Sequence, residues 1–190
     1  MIMKNTIKFF ATVTVATLMF TACNKNNDDV AESNDNEVIT TVEVHLTKTG
    51  SSTAQIFKWE DLDGDGGASP LIQDIIVAPN STYNATIYML DKTKSPVDTV
   101  SNEIREEGNV HRFYFVPAAG SNITVGNLGL DENATPLGLE SVWTTGAATT
   151  TGSMNIILRH YANGGKLAAD MVNDAKSSTD ADITFLTKVQ

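Results

Sequence analysis

Alternation of apolar and polar residues with a period of two is the feature that most restricts the fold of this chain. Val42, Val44 and Leu46 alternate with Thr41, Glu43 and His45, and Tyr83, Ala85, Ile87 and Met89 alternate with Asn84, Thr86 and Tyr88. Successive side chains of a strand point to opposite faces, so this pattern buries one face of a sheet and wets the other. Further strands are predicted over 54–60, 72–77, 110–116, 122–126, 139–144, 153–161 and 182–189. Turn-forming clusters separate them, at 63–67, Pro79-Asn80, 133–136 and Asn163-Gly164-Gly165.

Many short alternating strands at this spacing predict an all-β fold, an antiparallel immunoglobulin-like β-sandwich of about 7–9 strands. One or two short helices at most are expected, over 98–107 with Asp98 as cap, and over 167–175. No internal repeat divides residues 38–190, which read as one sandwich domain.

The amino-terminal segment has a different character. Lys4 and Lys8 precede an apolar stretch over 9–20, small residues Thr21 and Ala22 follow, and the stretch ends at Cys23, the chain's single cysteine. This anatomy resembles a bacterial lipoprotein signal with its lipobox, with 1–22 removed and Cys23 the acylated first residue of the mature chain. A spanning helix needs about 20 apolar residues, and this stretch is shorter and interrupted by Thr12, Thr14 and Thr17. The alternative is an ordinary signal peptide followed by an unrelated cysteine. With Cys23 lipidated no intrachain disulfide can form, and stability must come from burial. Each buried acyl CH₂ is worth about 0.8 kcal/mol, so a multiply acylated cysteine is stably held in a membrane.

Residues 23–37 are almost wholly polar beyond the cysteine and cannot build a core, which predicts a disordered tether with an end-to-end distance of about 20 Å. Lys25 and Asp28-Asp29 resemble the surface-export signals of Bacteroidota lipoproteins. The expected location is therefore the outer membrane, lipid-anchored, with the cell surface favoured over the periplasmic face. The chain carries 13 Lys+Arg against 23 Asp+Glu, and removing 1–22 takes away Lys4 and Lys8 but no acid. Such an acidic protein lacks the basic patch that nucleic acid requires.

Two candidate metal sites stand out. His111 shares a strand face with Phe113 and Phe115, and His160 shares one with Met154, Ile156 and Leu158. If the two strands pair antiparallel, both imidazoles reach the same rim, close to Glu103, Glu106 and Glu107. Two imidazoles and a carboxylate suit zinc or copper. The plainer reading makes each histidine a rim residue satisfied by a carbonyl or a neighbouring acid. His45 lies on the polar face with Glu43. The second candidate is Asp61-Leu62-Asp63-Gly64-Asp65-Gly66-Gly67, whose alternate carboxylates Asp61, Asp63 and Asp65 resemble the opening of a calcium loop. The twelfth position of that pattern is Ile72 where a bidentate acid is needed, and a glycine-rich connection explains the same residues. Trp59 and Trp143 suit either a stacking surface or the core.

The sequence reads as that of a non-enzyme. It has no Gly-x-Ser-x-Gly elbow, no His-Glu-x-x-His and no phosphate-cradling glycine loop, and its cysteine is assigned to lipid.

The stretch 37–42, the Asp61–Gly67 turn, Glu107-Gly108 through Phe115, Thr144 to Ala148 and Leu158-Arg159-His160 resemble a family of small Bacteroidota lipoproteins of unassigned function. The resemblance covers nearly the whole mature chain. Some such sequences are labelled as type 1 periplasmic-binding folds, but this one lacks the βαβ alternation and the length of two α/β lobes. The resemblance implies a role beside an outer-membrane TonB-dependent transporter. The expected function is that of a lipid-anchored envelope binding or accessory protein that captures a metal ion for uptake. The alternative is a structural or adhesive surface lipoprotein without a metal or catalytic site.

Overall fold

The computed structural model describes residues 37–190 apart from 65 and 163–164. Cys23, the signal segment and nearly all of the tether therefore lie outside the described residues, as does Asp65. The elements run β1 (Thr41–Lys48), β2 (Ala54–Glu60), β3 (Leu71–Ile72), β4 (Ile75–Val77), β5 (Thr82–Leu90), α1 (Val100–Glu106), β6 (His111–Pro117), β7 (Ile123–Gly126), β8 (Glu140–Thr145), β9 (Ser153–His160) and β10 (Ser178–Val189).

Two sheets form, one of six strands in the order β3-β2-β1-β5-β8-β7 and one of four in the order β4-β10-β9-β6. Neighbours are antiparallel except β10 and β4, which run parallel. The all-β sandwich is as expected, with ten strands rather than nine because two short edge segments count separately. The predicted strand over 72–77 is cut at Gln73 and Asp74. Gln73 exchanges hydrogen bonds with the Lys58 backbone of β2, whereas Asp74 pairs with Lys188 of β10 at 2.6 Å. Between those two residues the chain leaves one sheet and joins the other.

Period two explains the core. Val42, Val44 and Leu46 of β1, Tyr83, Ala85, Ile87 and Met89 of β5, and Trp143 of β8 are buried from the larger sheet. Facing them are Phe113 of β6, Met154, Ile156 and Leu158 of β9, Ile183 and Phe185 of β10, and Ile75 of β4. Each such Val, Leu, Ile, Phe or Met side chain contributes about 1.5–3 kcal/mol by leaving water. Helix α1 buries Val100 and Ile104, one turn apart, and Ser101 Oγ accepts the Met89 N–H of β5 at 2.9 Å. Its N-cap is Thr99 without a side-chain bond, because Asp98 is drawn instead into a bridge with Asp91 and an ion pair with Lys94.

The helix expected over 167–175 does not form. Arg112 donates through one guanidinium nitrogen to the carbonyls of Leu167, Ala168 and Asp170, and the Tyr114 hydroxyl donates to Asp170 as well. The Leu167 carbonyl also accepts the Asp170 N–H at 3.1 Å, an i+3 bond instead of the i+4 bond of an α-helix, and the segment is a series of turns. Nearby, the Lys166 ammonium is buried against the carbonyls of Gly108, His111 and Pro136 and pairs with Asp131 at 2.7 Å. This clamp fixes the start of β6.

Candidate metal centre

His111 and His160 are direct cross-strand partners in the β6–β9 pair. The Tyr161 N–H donates to the Val110 carbonyl at 2.7 Å, which makes the adjacent 111–160 pair non-hydrogen-bonded, the kind whose side chains approach more closely. Their rings stack with centroids 4.7 Å apart and 22° between planes. The rim arrangement inferred from the strand faces is present.

A third group comes from β10. Register along β9 places Thr179 opposite Arg159 and Ala181 opposite Leu158, which leaves Asp180 as the extra residue of a β-bulge. By parity with Ile183 and Phe185, Asp180 belongs on the outer face; the bulge turns it inward. Its side chain is 6% exposed, and Oδ2 stands 3.8 Å from His111 Nε2. Ligand atoms of His111, His160 and Asp180 lie within 4.8 Å of one another, and those of Glu37, Glu107 and His111 do likewise. A tetrahedral zinc with bonds of about 2.1 Å sets its ligand atoms about 3.4 Å apart, so small side-chain movements close the first trio on an ion.

The state of His111 suits that chemistry. His111 Nδ1 lies 3.1 Å from the Glu107 carbonyl, which can only accept. The proton therefore sits on Nδ1, and Nε2 presents its lone pair towards Asp180, the arrangement that orients metal-bound histidines. Burial, the neighbouring His160 and the Lys166 charge together hold His111 down at about 4, so it is neutral near pH 7. Burial raises Asp180 above the usual carboxylate range despite His160 and Arg159. Glu37 is pushed up to about 7, first by burial and then by Glu103, Asp180, Glu107 and Asp98.

Negative charge here lacks a counter-ion. Among the described residues no lysine or arginine pairs with Glu37, Glu107 or Asp180. Glu37 Oε2 and Asp180 Oδ1 are buried without a hydrogen-bond donor among the described residues. A buried carboxylate oxygen left unpaired is costly, and a cation is one way of satisfying it.

Of the acids proposed to accompany the histidines, Glu107 joins the cluster, whereas Glu103 acts on Glu37 from an exposed position. Asp180 and Glu37 were not foreseen. The Asp61 and Asp63 carboxylates stabilise their own turn, accepting from Gly64 N–H at 2.9 Å and Ala68 N–H at 2.8 Å. His45 pairs with Glu43 at 2.8 Å, away from the cluster. Trp143 is core, its Nε1 donating to Ser141 Oγ, while Trp59 lines a cleft of about 460 Å³ that also touches Glu37 and Asp180. No helix among the described residues is long and apolar enough to cross a membrane. No protein-family model, curated protein or solved structure matches the chain.

Proposed function

We propose that this protein is a lipid-anchored cell-envelope binding module that captures a divalent transition metal ion, zinc or copper, for an outer-membrane uptake system. The observation that carries the metal reading is the stacked His111–His160 pair facing the bulge carboxylate of Asp180, whose Oδ1 has no donor. Two imidazoles and a carboxylate form a mixed nitrogen–oxygen set suited to zinc, and to copper in its divalent state. Glu37 and Glu107 are at hand to complete or neutralise the shell. The anchoring at Cys23 and delivery to a TonB-dependent transporter rest on the lipobox-like signal and on the family resemblance.

Isothermal titration with Zn²⁺ and Cu²⁺ tests the site. Saturable one-to-one binding that disappears in His111→Ala and in His160→Ala is expected; undiminished binding in both variants removes the site.

A structural or adhesive role is the second reading, favoured by the apolar edge where Leu71, Ile72 and Ile56 are exposed. It predicts no specific response to either metal.

A further inference from the structure

The cleft beside the cluster connects the two acidic features of the chain. Its lining runs from the exposed Asp63 and Leu62 of the turn after β2, past Asp61 and Trp59, to Glu37 and Asp180. The wall therefore includes two members of the histidine cluster, one of them the nine-tenths buried Asp180 with its unpartnered Oδ1. Among the described residues no lysine, arginine or histidine lines the cleft. Lys58 and Lys92, next in sequence to the lining residues Trp59 and Thr93, are already engaged, Lys58 with Glu43 and Lys92 with Glu60. At about 460 Å³ the space exceeds what a bare ion needs. An ion with six waters fills about 200 Å³ at roughly 30 Å³ per water.

We propose that this cleft is the admission route of the metal site: Asp61 and Asp63 attract a hydrated divalent cation at its mouth, and Glu37 and Asp180 receive it inside and pass it to His111 and His160. The inference rests on the metal reading above. It assigns the Asp61–Gly64 turn a task other than tight chelation. Both of its carboxylates already accept backbone amides, and each keeps a second oxygen for water-mediated contact with a passing ion. A narrow recess lined by charge of one sign concentrates counter-ions and speeds their association, an effect that falls steeply with ionic strength. Water leaves the ion one ligand at a time as carboxylate and then imidazole replace it, and no covalent bond is made or broken.

Stopped-flow competition against a fluorescent zinc chelator, on the whole chain at low and at physiological salt, measures the route directly. The Asp61→Asn/Asp63→Asn double variant keeps the acceptor oxygens of the turn and removes its charge. Its association rate should fall about tenfold at low salt with an unchanged dissociation rate and a flatter salt dependence. Leu62→Lys, at an exposed position without a turn hydrogen bond, should slow association similarly. Wild-type association rates in both variants overturn the route while leaving the metal site standing. Faster dissociation in the double variant also overturns it, because the aspartates would then be ligands. Absence of zinc binding by the wild-type protein removes the route and the proposed function together.

Discussion

Asp180 reaches within 3.8 Å of His111 because it is the residue that β10 leaves unpaired between Thr179 and Ala181 in its ladder with β9. A regular ladder would have pointed that carboxylate into solvent and left two stacked imidazoles without an anionic neighbour from this strand. The bulge thus converts a stretch of ordinary sheet into a three-sided polar recess.

Asp180→Asn tests that role. The amide preserves shape but removes the charge and half the acceptor capacity, so zinc affinity should drop at least about tenfold. The metal-free fold should be as stable as wild type or more so, since a buried carboxylate repelled by Glu37 is neutralised. Calorimetric titration and thermal unfolding in the presence of a chelator check both halves; unaltered affinity would exclude Asp180 as a ligand.

The metal-free protein should show opposed pH dependences from Glu37 and His111. Glu37 holds its proton to about 7 when folded against an ordinary 4.5, so its contribution to stability is complete below 4.5 and vanishes as pH rises to 7. His111 is held at about 4 against an ordinary 6.5, so its contribution is complete above 6.5 and is lost as pH falls to 4. The two oppose each other between 4.5 and 6.5, and above 6.5 the Glu37 decline remains. Denaturant unfolding of Glu37→Gln should show a steeper gain in stability with pH in the shared window and no decline beyond it. A curve superimposable on wild type would contradict the assignment.

Lys166→Met should destabilise the fold by about 3–5 kcal/mol, because Asp131 is left charged and buried. Burial raises the Asp131 carboxyl, but the Lys166 ammonium and the Thr135 and Asn133 amides outweigh it and hold it below the usual range. Adding Asp131→Asn removes the stranded charge and keeps an oxygen for those amides. The double variant should recover the part of the loss that comes from the stranded charge, while the Gly108, His111 and Pro136 carbonyls still lack their donor, a coupling measurable by a denaturation cycle.

Cys23→Ala should convert a detergent-phase protein into a water-soluble one if the lipobox reading holds. Phase partitioning of cell extracts, with mass spectrometry of the amino-terminal peptide, reads this out; identical partitioning of both forms argues for another mode of retention.

Much of the architecture was legible from parity. Met154, Ile156 and Leu158 announced the buried face of β9 and carried His160 with them, and Phe113 and Phe115 did the same for His111. Parity could not reveal Asp180, because a bulge breaks the rule from which parity reasons; the only trace is a polar run just before Ile183. Glu37 was assigned to the tether on composition, yet it lines the cleft at the approach to β1. In place of the expected helix over 167–175 stand turns held by Arg112, a residue far away in sequence, and nothing local reports that contact. Asp61 and Asp63 were visible as a motif, but their neighbourhood with Asp180 arises from tertiary packing.

The grip of Lys166 is made on main-chain oxygens of Gly108, His111 and Pro136 and on a single acid. Carbonyls carry no residue identity, so the platform under the start of β6 does not depend on the imidazole that happens to stand there. A change of side chain at position 111 accordingly leaves this grip on the backbone in place, so the rim residue and the scaffold beneath it are held by separate contacts.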